Sequence, residues 1–318
     1  MNILVTGSTG FVGSTLIKRL VKDEFLVSAT IRNSSVNQFD LGVTLIETGD
    51  LTPSFDWSCA IRGVSTIVHL AARTHVLNDK SRDPLNDFRY INVDCSLNLA
   101  NQAAIAGVKR FIYVSSIKVN GESTILGKPF TAQDTPMPHD FYGISKYEAE
   151  LGLRAIAEES GMQLVIIRPP LVYGPGVRAN FLSMLKWLQR GYPLPLGGVT
   201  KNLRSFIFLD NLIDLIVTCI NHPSAANRTF LVSDDEDLST AELLQHMALA
   251  LGLPSRLIAL PANLITLGAR LIGRSDISQR LCGSLQVDIK KTRELLDWSP
   301  PVSLDEGMRR TAEHFLRM

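Results

Sequence analysis

Tyr142-Gly143-Ile144-Ser145-Lys146 puts a phenol and an ammonium at i and i+4, on one face at the start of a predicted helix. A phenol with a pKa of about 10 is a poor base near neutrality, and an adjacent ammonium lowers that pKa so the oxygen can exchange a proton with a carbinol. Just upstream, a predicted strand ends in Ser115-Ser116, whose hydroxyls can donate hydrogen bonds to a reacting carbonyl oxygen. Y-x-x-x-K alone is a weak motif, and its place directly after that strand gives it weight.

A second constellation opens the chain. Gly7-Ser8-Thr9-Gly10-Phe11-Val12-Gly13 follows the first predicted strand at once and begins the first helix, the context a glycine-rich phosphate loop requires. The glycines allow a tight turn and close approach of the backbone to a pyrophosphate, while the helix N-terminus favours the negative charge. A purely structural turn is the competing reading, and the position at the start of a βαβ unit favours a dinucleotide. The second strand ends in Thr30-Ile31-Arg32-Asn33, where a free ribose 2′-hydroxyl would meet an Asp or Glu. No acid is there, and Arg32 is placed to face a 2′-phosphate, so NADP(H) is favoured over NAD(H), although one arginine can equally stack on adenine or stand in solvent. In Gly49-Asp50-Leu51, Asp50 could reach the adenine amino group or serve as a helix cap or turn residue.

These residues need a scaffold. Runs rich in Val, Ile and Phe at residues 3–6, 26–31, 44–47, 66–69, 110–115 and 164–168 alternate with helical patterns at 10–22, 56–61, 84–106 and 143–160. That rhythm predicts an α/β fold, a doubly wound parallel (Rossmann) sheet with its ligand crevice at the carboxyl ends of the strands. After Pro169-Pro170 come Pro- and Gly-rich turns mixed with helices, ending in an amphipathic helix at 304–317. The expected division is a dinucleotide-binding domain over residues 1–170, rejoined by the chain around 204–222, and a smaller, mainly substrate-binding lobe over 171–318.

Composition bounds the rest. With 318 residues, 45% hydrophobic and 20% charged, the chain is an ordinary globular protein. It can bury roughly 75% of its extended surface without a metal or disulfide staple. Lys and Arg (32) nearly cancel Asp and Glu (31), which gives no general reason to bind nucleic acid. Cys59, Cys95, Cys219 and Cys282 form no C-x-x-C pair and have no His-rich partner, so no metal site is expected and they read as reduced thiols in a cytoplasmic protein. The start of the chain lacks the pattern of a secretory signal. The most apolar later stretch, 258–273, contains Pro261 and Arg270 and falls short of the roughly 20 residues that span a bilayer. It reads as a helix in a small domain, with membrane-surface docking as the alternative.

Taken in order, these motifs resemble the extended short-chain dehydrogenase/reductase superfamily, in its nucleotide-sugar epimerase, dehydratase and reductase branch. The matching residues are the glycine loop, His69-Leu70-Ala71-Ala72, Asn92 in Ile91-Asn92-Val93-Asp94, Val114-Ser115-Ser116, Tyr142 with Lys146, Arg168-Pro169-Pro170 through Gly176, and Arg204-Ser205-Phe206 through Asp210. The resemblance implies that Tyr142 is the acid/base, that Lys146 lowers its pKa and holds the nicotinamide ribose, and that Ser116 polarises the carbonyl. It implies cofactor contacts from Gly7, Thr9, Gly10, Phe11, Val12, Gly13, Arg32, Asp50, Leu51, Leu70, Ala71, Ala72, Asn92, Ser115, Lys146 and Pro169. Substrate contacts would come from Ser116, Asn180, Leu196 and Arg204, with Arg204 reaching a sugar-nucleotide diphosphate. Blander roles stand beside these: His69 and Asn92 could only satisfy backbone groups, Arg204 could be a surface cation, and Asn180-Phe181-Leu182 could be an ordinary helix start.

Dehydratases of the branch carry an Asp-Glu pair after the polarising Ser or Thr, where this chain has Ile117 and Lys118. Hydride transfer at sugar C4 remains. The segment around Val114 to Glu122 most resembles bacterial reductases of UDP-linked 4-keto-6-deoxy-N-acetylhexosamines, enzymes of lipopolysaccharide O-antigen and other surface polysaccharide synthesis. That makes an NAD(P)H-dependent C4 reductase the first expectation and a UDP-hexose or UDP-N-acetylhexosamine 4-epimerase with retained NAD the alternative. Asn120 stands where many members carry a tyrosine in V-Y-G. The expected partners are a UDP-sugar and, by analogy through the apolar faces of 84–106 and 143–160, a second copy in a homodimer, with neither nucleic acid nor integral membrane contact.

Overall fold

In the first half of the chain, residues 3–6, 27–31, 66–69, 110–113 and 164–168 are all buried because both faces of their sheet are covered, whereas 43–47, at the sheet edge, are partly or fully exposed. In the computed structural model, which describes residues 1–33, 42–74, 82–271 and 275–318, this half runs β1 (Asn2–Thr6), α1 (Phe11–Lys22), β2 (Leu26–Ile31), β3 (Val43–Glu47), β4 (Thr66–His69), α2 (Pro84–Arg89), α3 (Cys95–Ile105), β5 (Arg110–Val114), α4 (Phe141–Ser160) and β6 (Gln163–Arg168). The second half adds β7 (Leu171–Tyr173), α5 (Ala179–Gln189), β8 (Arg204–Phe208), α6 (Leu209–Asn221), β9 (Arg228–Leu231), β10 (Asp237–Leu238), α7 (Thr240–Ala250), α8 (Ala262–Leu271), α9 (Ser275–Cys282), α10 (Lys290–Leu296) and α11 (Leu304–Leu316).

The main sheet has the parallel order β3-β2-β1-β4-β5-β6-β9, a doubly wound Rossmann arrangement. Alternation along β1 sends Ile3 and Val5 into one core with Leu16 and Leu20 of α1 and Leu212 and Ile216 of α6. Leu4 goes to the other, with Leu99 of α3 and Leu153 of α4. The later chain therefore rejoins the first domain over a longer span than 204–222, through α6 and then β9 beside β6. A small sheet, β10-β8-β7, and a third core around Phe181, Leu185, Phe206, Leu244 and Met308 build the second lobe.

Two expected helices differ. Residues 56–61 form turns, because Asp56 accepts from the Ser58 amide (2.9 Å) and the Trp57 amide donates to Gln102 Oε1 (2.7 Å), pinning a buried Trp57 by tertiary bonds. The stretch 84–106 is α2 and α3 joined by a π-helical turn, Tyr90–Asp94. The 258–273 stretch is helical from Ala262 to Leu271, and Ile272 and Gly273 lie outside the described residues.

Candidate active site

The carboxyl ends of β1, β4, β5 and β6 carry the residues singled out from the sequence. Gly7 has φ +67°, and a Cβ there would lie 2.7 Å from the Ala71 amide nitrogen; a Cβ on Gly13 would lie 2.2 Å from the Gly7 carbonyl oxygen. Only glycine allows this closeness of loop, helix and β4 end. The first turn of α1 has no side-chain cap and no acidic residue. Its amides are thus left to an anion, and Thr9, Gly10, Phe11 and Val12 stand at the accessible rim. A dinucleotide pyrophosphate fits this cradle.

Arg32 and Asp50 both stand exposed where the adenosine end would lie, and they pair with each other, Nε to carboxylate, at 3.8 Å. A 2′-phosphate brought to Arg32 would also meet the Asp50 carboxylate. Leu51 packs partly against the core.

The loop Leu70-Ala71-Ala72 is held from behind. Thr6 Oγ1 lies 2.6 Å from His69 Nδ1 and accepts from the Ala71 amide (3.3 Å), while His69 Nε2 is 2.8 Å from Ser96 Oγ. Burial and the nearby Lys146 charge push the His69 imidazole down to about 3, so it is neutral. Asn92, in the π-helical turn, exchanges hydrogen bonds with the Arg73 backbone (2.8 and 3.0 Å) and donates to Ser145 Oγ (2.9 Å). The side chains of His69 and Asn92 both brace this loop.

Tyr142 stands on the first turn of α4, whose N-cap Asp140 accepts from the Gly143 amide (2.7 Å). Burial first, and Asp140 second, raise the phenol above its ordinary value. One turn on, Lys146 is buried and its ammonium lies 3.9 Å from the Tyr113 ring centroid; burial lowers it to about 7 against the opposing pull of Glu150. In this arrangement the ammonium rests on Tyr113, and the phenol keeps its proton. Ser116 caps the short turn Ile117–Val119, its hydroxyl accepting from the Lys118 amide at 3.2 Å.

The Ser115 hydroxyl donates to Glu150 Oε1 (2.5 Å), and Glu150 is also clasped by Arg168 through Nε (2.9 Å) and Nη2 (2.5 Å). Arg168 Nη1 donates in turn to Asn120 Oδ1 (2.8 Å), and Asn120 Nδ2 to the Thr131 carbonyl (2.8 Å). This buried chain ties the end of β5 to α4 and to the end of β6, where Pro169 accepts from the Ile117 amide (3.0 Å). The Ser115 hydroxyl is thus engaged in this network, and Asn120 fills the place of a tyrosine by completing it. Glu150 was not legible as a site residue in the sequence.

On the second lobe, Arg204 at the start of β8 donates to the Gly283 carbonyl (3.2 Å), and its pKa is lowered by burial and by neighbouring Arg280. The Arg280 guanidinium thus stands near that of Arg204, a neighbourhood that nothing in the spacing of the sequence marks. Asn180 is exposed in the first turn of α5, after Ala179 at φ +54°. Leu196 packs, partly buried, against the third core.

Fold and site define a short-chain oxidoreductase-type enzyme. The model of the NAD dependent epimerase/dehydratase family matches residues 3–233, and the chain belongs to that family. A Vibrio cholerae protein described as a UDP-glucose 4-epimerase is 50% identical over 317 residues, covering 99% of this chain and 96% of its own. Among solved structures, a UDP-glucuronic acid 4-epimerase from Bacillus cereus in complex with NAD superposes with a TM-score of 0.81 at 21% identity, covering 100% of this chain and 97% of that one. A UDP-glucose 4-epimerase from Thermotoga maritima with UDP-glucose does so at 0.78 and 23%, covering 100% and 99%.

Proposed function

We propose that this protein is a UDP-hexose 4-epimerase that retains NAD and regenerates it within each cycle. The observation that carries the reading is the 50% identity, along nearly the whole chain, to the Vibrio cholerae UDP-glucose 4-epimerase. It supports epimerisation over the reduction favoured by the sequence alone. The NAD dependence in the family's description, together with the Asp50 carboxylate beside Arg32, likewise supports NAD over NADP.

The cradle of Gly7, Gly10 and Gly13, the amides of α1, the loop Leu70-Ala71-Ala72, Lys146 and Pro169 would hold the dinucleotide, which when bound supplies an acceptor and donor of hydride at sugar C4. In the loaded enzyme Tyr142 would first release its phenol proton to solvent and then, as phenolate, take the C4 hydroxyl proton as the C4 hydride leaves, while Ser116 would donate a hydrogen bond to the carbonyl oxygen that forms. Arg204 and Arg280 hold the diphosphate while the 4-keto sugar turns over. Tyr142 then returns its proton as hydride adds to the opposite face, so the net change is inversion at C4. Dehydration lacks its acid and base, because Ile117 is buried and Lys118 pairs with Asp140 and Glu122.

A second reading, reduction of a UDP-linked 4-keto-6-deoxy-N-acetylhexosamine by NADPH, is favoured by Arg32 at the end of β2. Denaturing the purified protein and identifying the dinucleotide released separates the two. Near-stoichiometric NAD supports the epimerase; an empty protein that binds NADPH in preference to NADH overturns it for the reductase. Exposed Tyr90, Ile105 and Leu151 on the neighbouring helical turns support a homodimer through this face, and four free thiols support a cytoplasmic location.

A further inference from the structure

The second lobe carries an exposed apolar surface that the catalytic reading does not use. On α8, Leu264, Leu267 and Leu271 stand at i, i+3 and i+7, on one face, and each is more than half exposed. So are Ile258 just upstream, Trp187 in the last turn of α5, and Tyr192 just beyond it. The two stretches are physically joined: the Leu194 amide donates to the Arg256 carbonyl (2.9 Å), the Ile258 amide to the Leu194 carbonyl (2.8 Å), and the Arg256 guanidinium to the Gly191 carbonyl (3.2 Å).

Exposed leucines alone would suit any apolar partner, and charge decides between partners. In a chain with 31 acidic residues, residues 160–209 and 243–275 contain none. Around the apolar side chains Lys186, Arg190, Arg256 and Arg270 are exposed. Leucines that can enter an acyl boundary, a tryptophan and a tyrosine suited to headgroup depth, and basic side chains on stretches that contain no acid match an anionic bilayer surface. Among the described residues no helix is long and apolar enough to cross a membrane, so α8 would lie in the plane of the interface.

We propose that this face docks reversibly on an anionic phospholipid membrane, with α8 in the interface and Arg190, Arg256 and Arg270 on lipid phosphates. The backbone of Ile258 to Leu260 is packed tightly against Gly197 and Gly198, so the docking segment is braced by the lobe that carries Arg204.

The test is flotation of the full chain with vesicles of phosphatidylcholine alone and with about 30% phosphatidylglycerol added. Binding at least about tenfold stronger to the anionic vesicles is expected, falling back in the Leu264→Glu/Leu267→Glu and Arg190→Glu/Arg256→Glu double variants, with solution turnover unchanged. The basic pair keeps the test decisive should the leucine variant misfold. Absence of binding by the wild type, or binding that neither variant weakens, overturns the proposal. So does light scattering in which the leucine variant alone loses one step of self-association, since the face would then belong to a second copy.

Discussion

Ser115 and Ser116 are neighbours with opposite tasks, because alternation at the end of β5 turns one hydroxyl into the buried Glu150–Arg168 pair and leaves the other free of it. Ser116→Ala should lower kcat about 10²- to 10³-fold, the usual cost of removing a donor to an oxyanion, with NAD still bound. Ser115→Ala should instead lower stability by roughly 1.5–3 kcal/mol, the worth of a hydrogen bond to a charged group, and leave most of kcat. Steady-state kinetics beside thermal melts separate the two. His69 gives a pH signature. Its folded pKa of about 3 lies below the unfolded value of 6.5, so at acid pH the unfolded chain binds the extra proton and stability falls as pH drops below 6.5. Between pH 7 and pH 5 that loss is roughly 2 kcal/mol, and urea titrations should show it in the wild type and not in His69→Asn.

At the scale of elements, the cradle depends on α1 meeting β1 and β4 at contact distance. Gly13→Ala, whose Cβ would overlap the Gly7 carbonyl, should cost about 1–3 kcal/mol of stability and leave the purified protein with little bound dinucleotide, as absorbance of the denatured extract will show. The tight packing of this loop was legible in the sequence because a turn from a strand straight into a helix needs glycines at fixed offsets, and the positions of Tyr142 and Lys146 one turn apart on α4 were legible from their spacing. What the sequence hid was set by tertiary partners. The turns at residues 56–61 follow from Gln102 reaching back to Trp57, and Glu150 acquires its meaning only through Arg168, 18 positions away. Arg280 comes near Arg204 only because α9 ends near the start of β8.

On the proposed reading, the glycine loop after β1 would hold the cofactor and Arg204 with Arg280 the diphosphate, with Tyr142 and Ser116 acting on the sugar. That division is what C4 inversion requires: the diphosphate stays held while the 4-keto sugar presents its second face to the same hydride and the same phenol. Such a cycle leaves its own isotopic record. UDP-glucose carrying deuterium at C4, incubated with the purified protein and no added cofactor, should yield UDP-galactose that keeps the deuterium at C4, because the hydride leaves and returns within one site. No conversion of this substrate or its N-acetyl counterpart, or conversion only on addition of NADPH to a 4-keto sugar, would contradict the account.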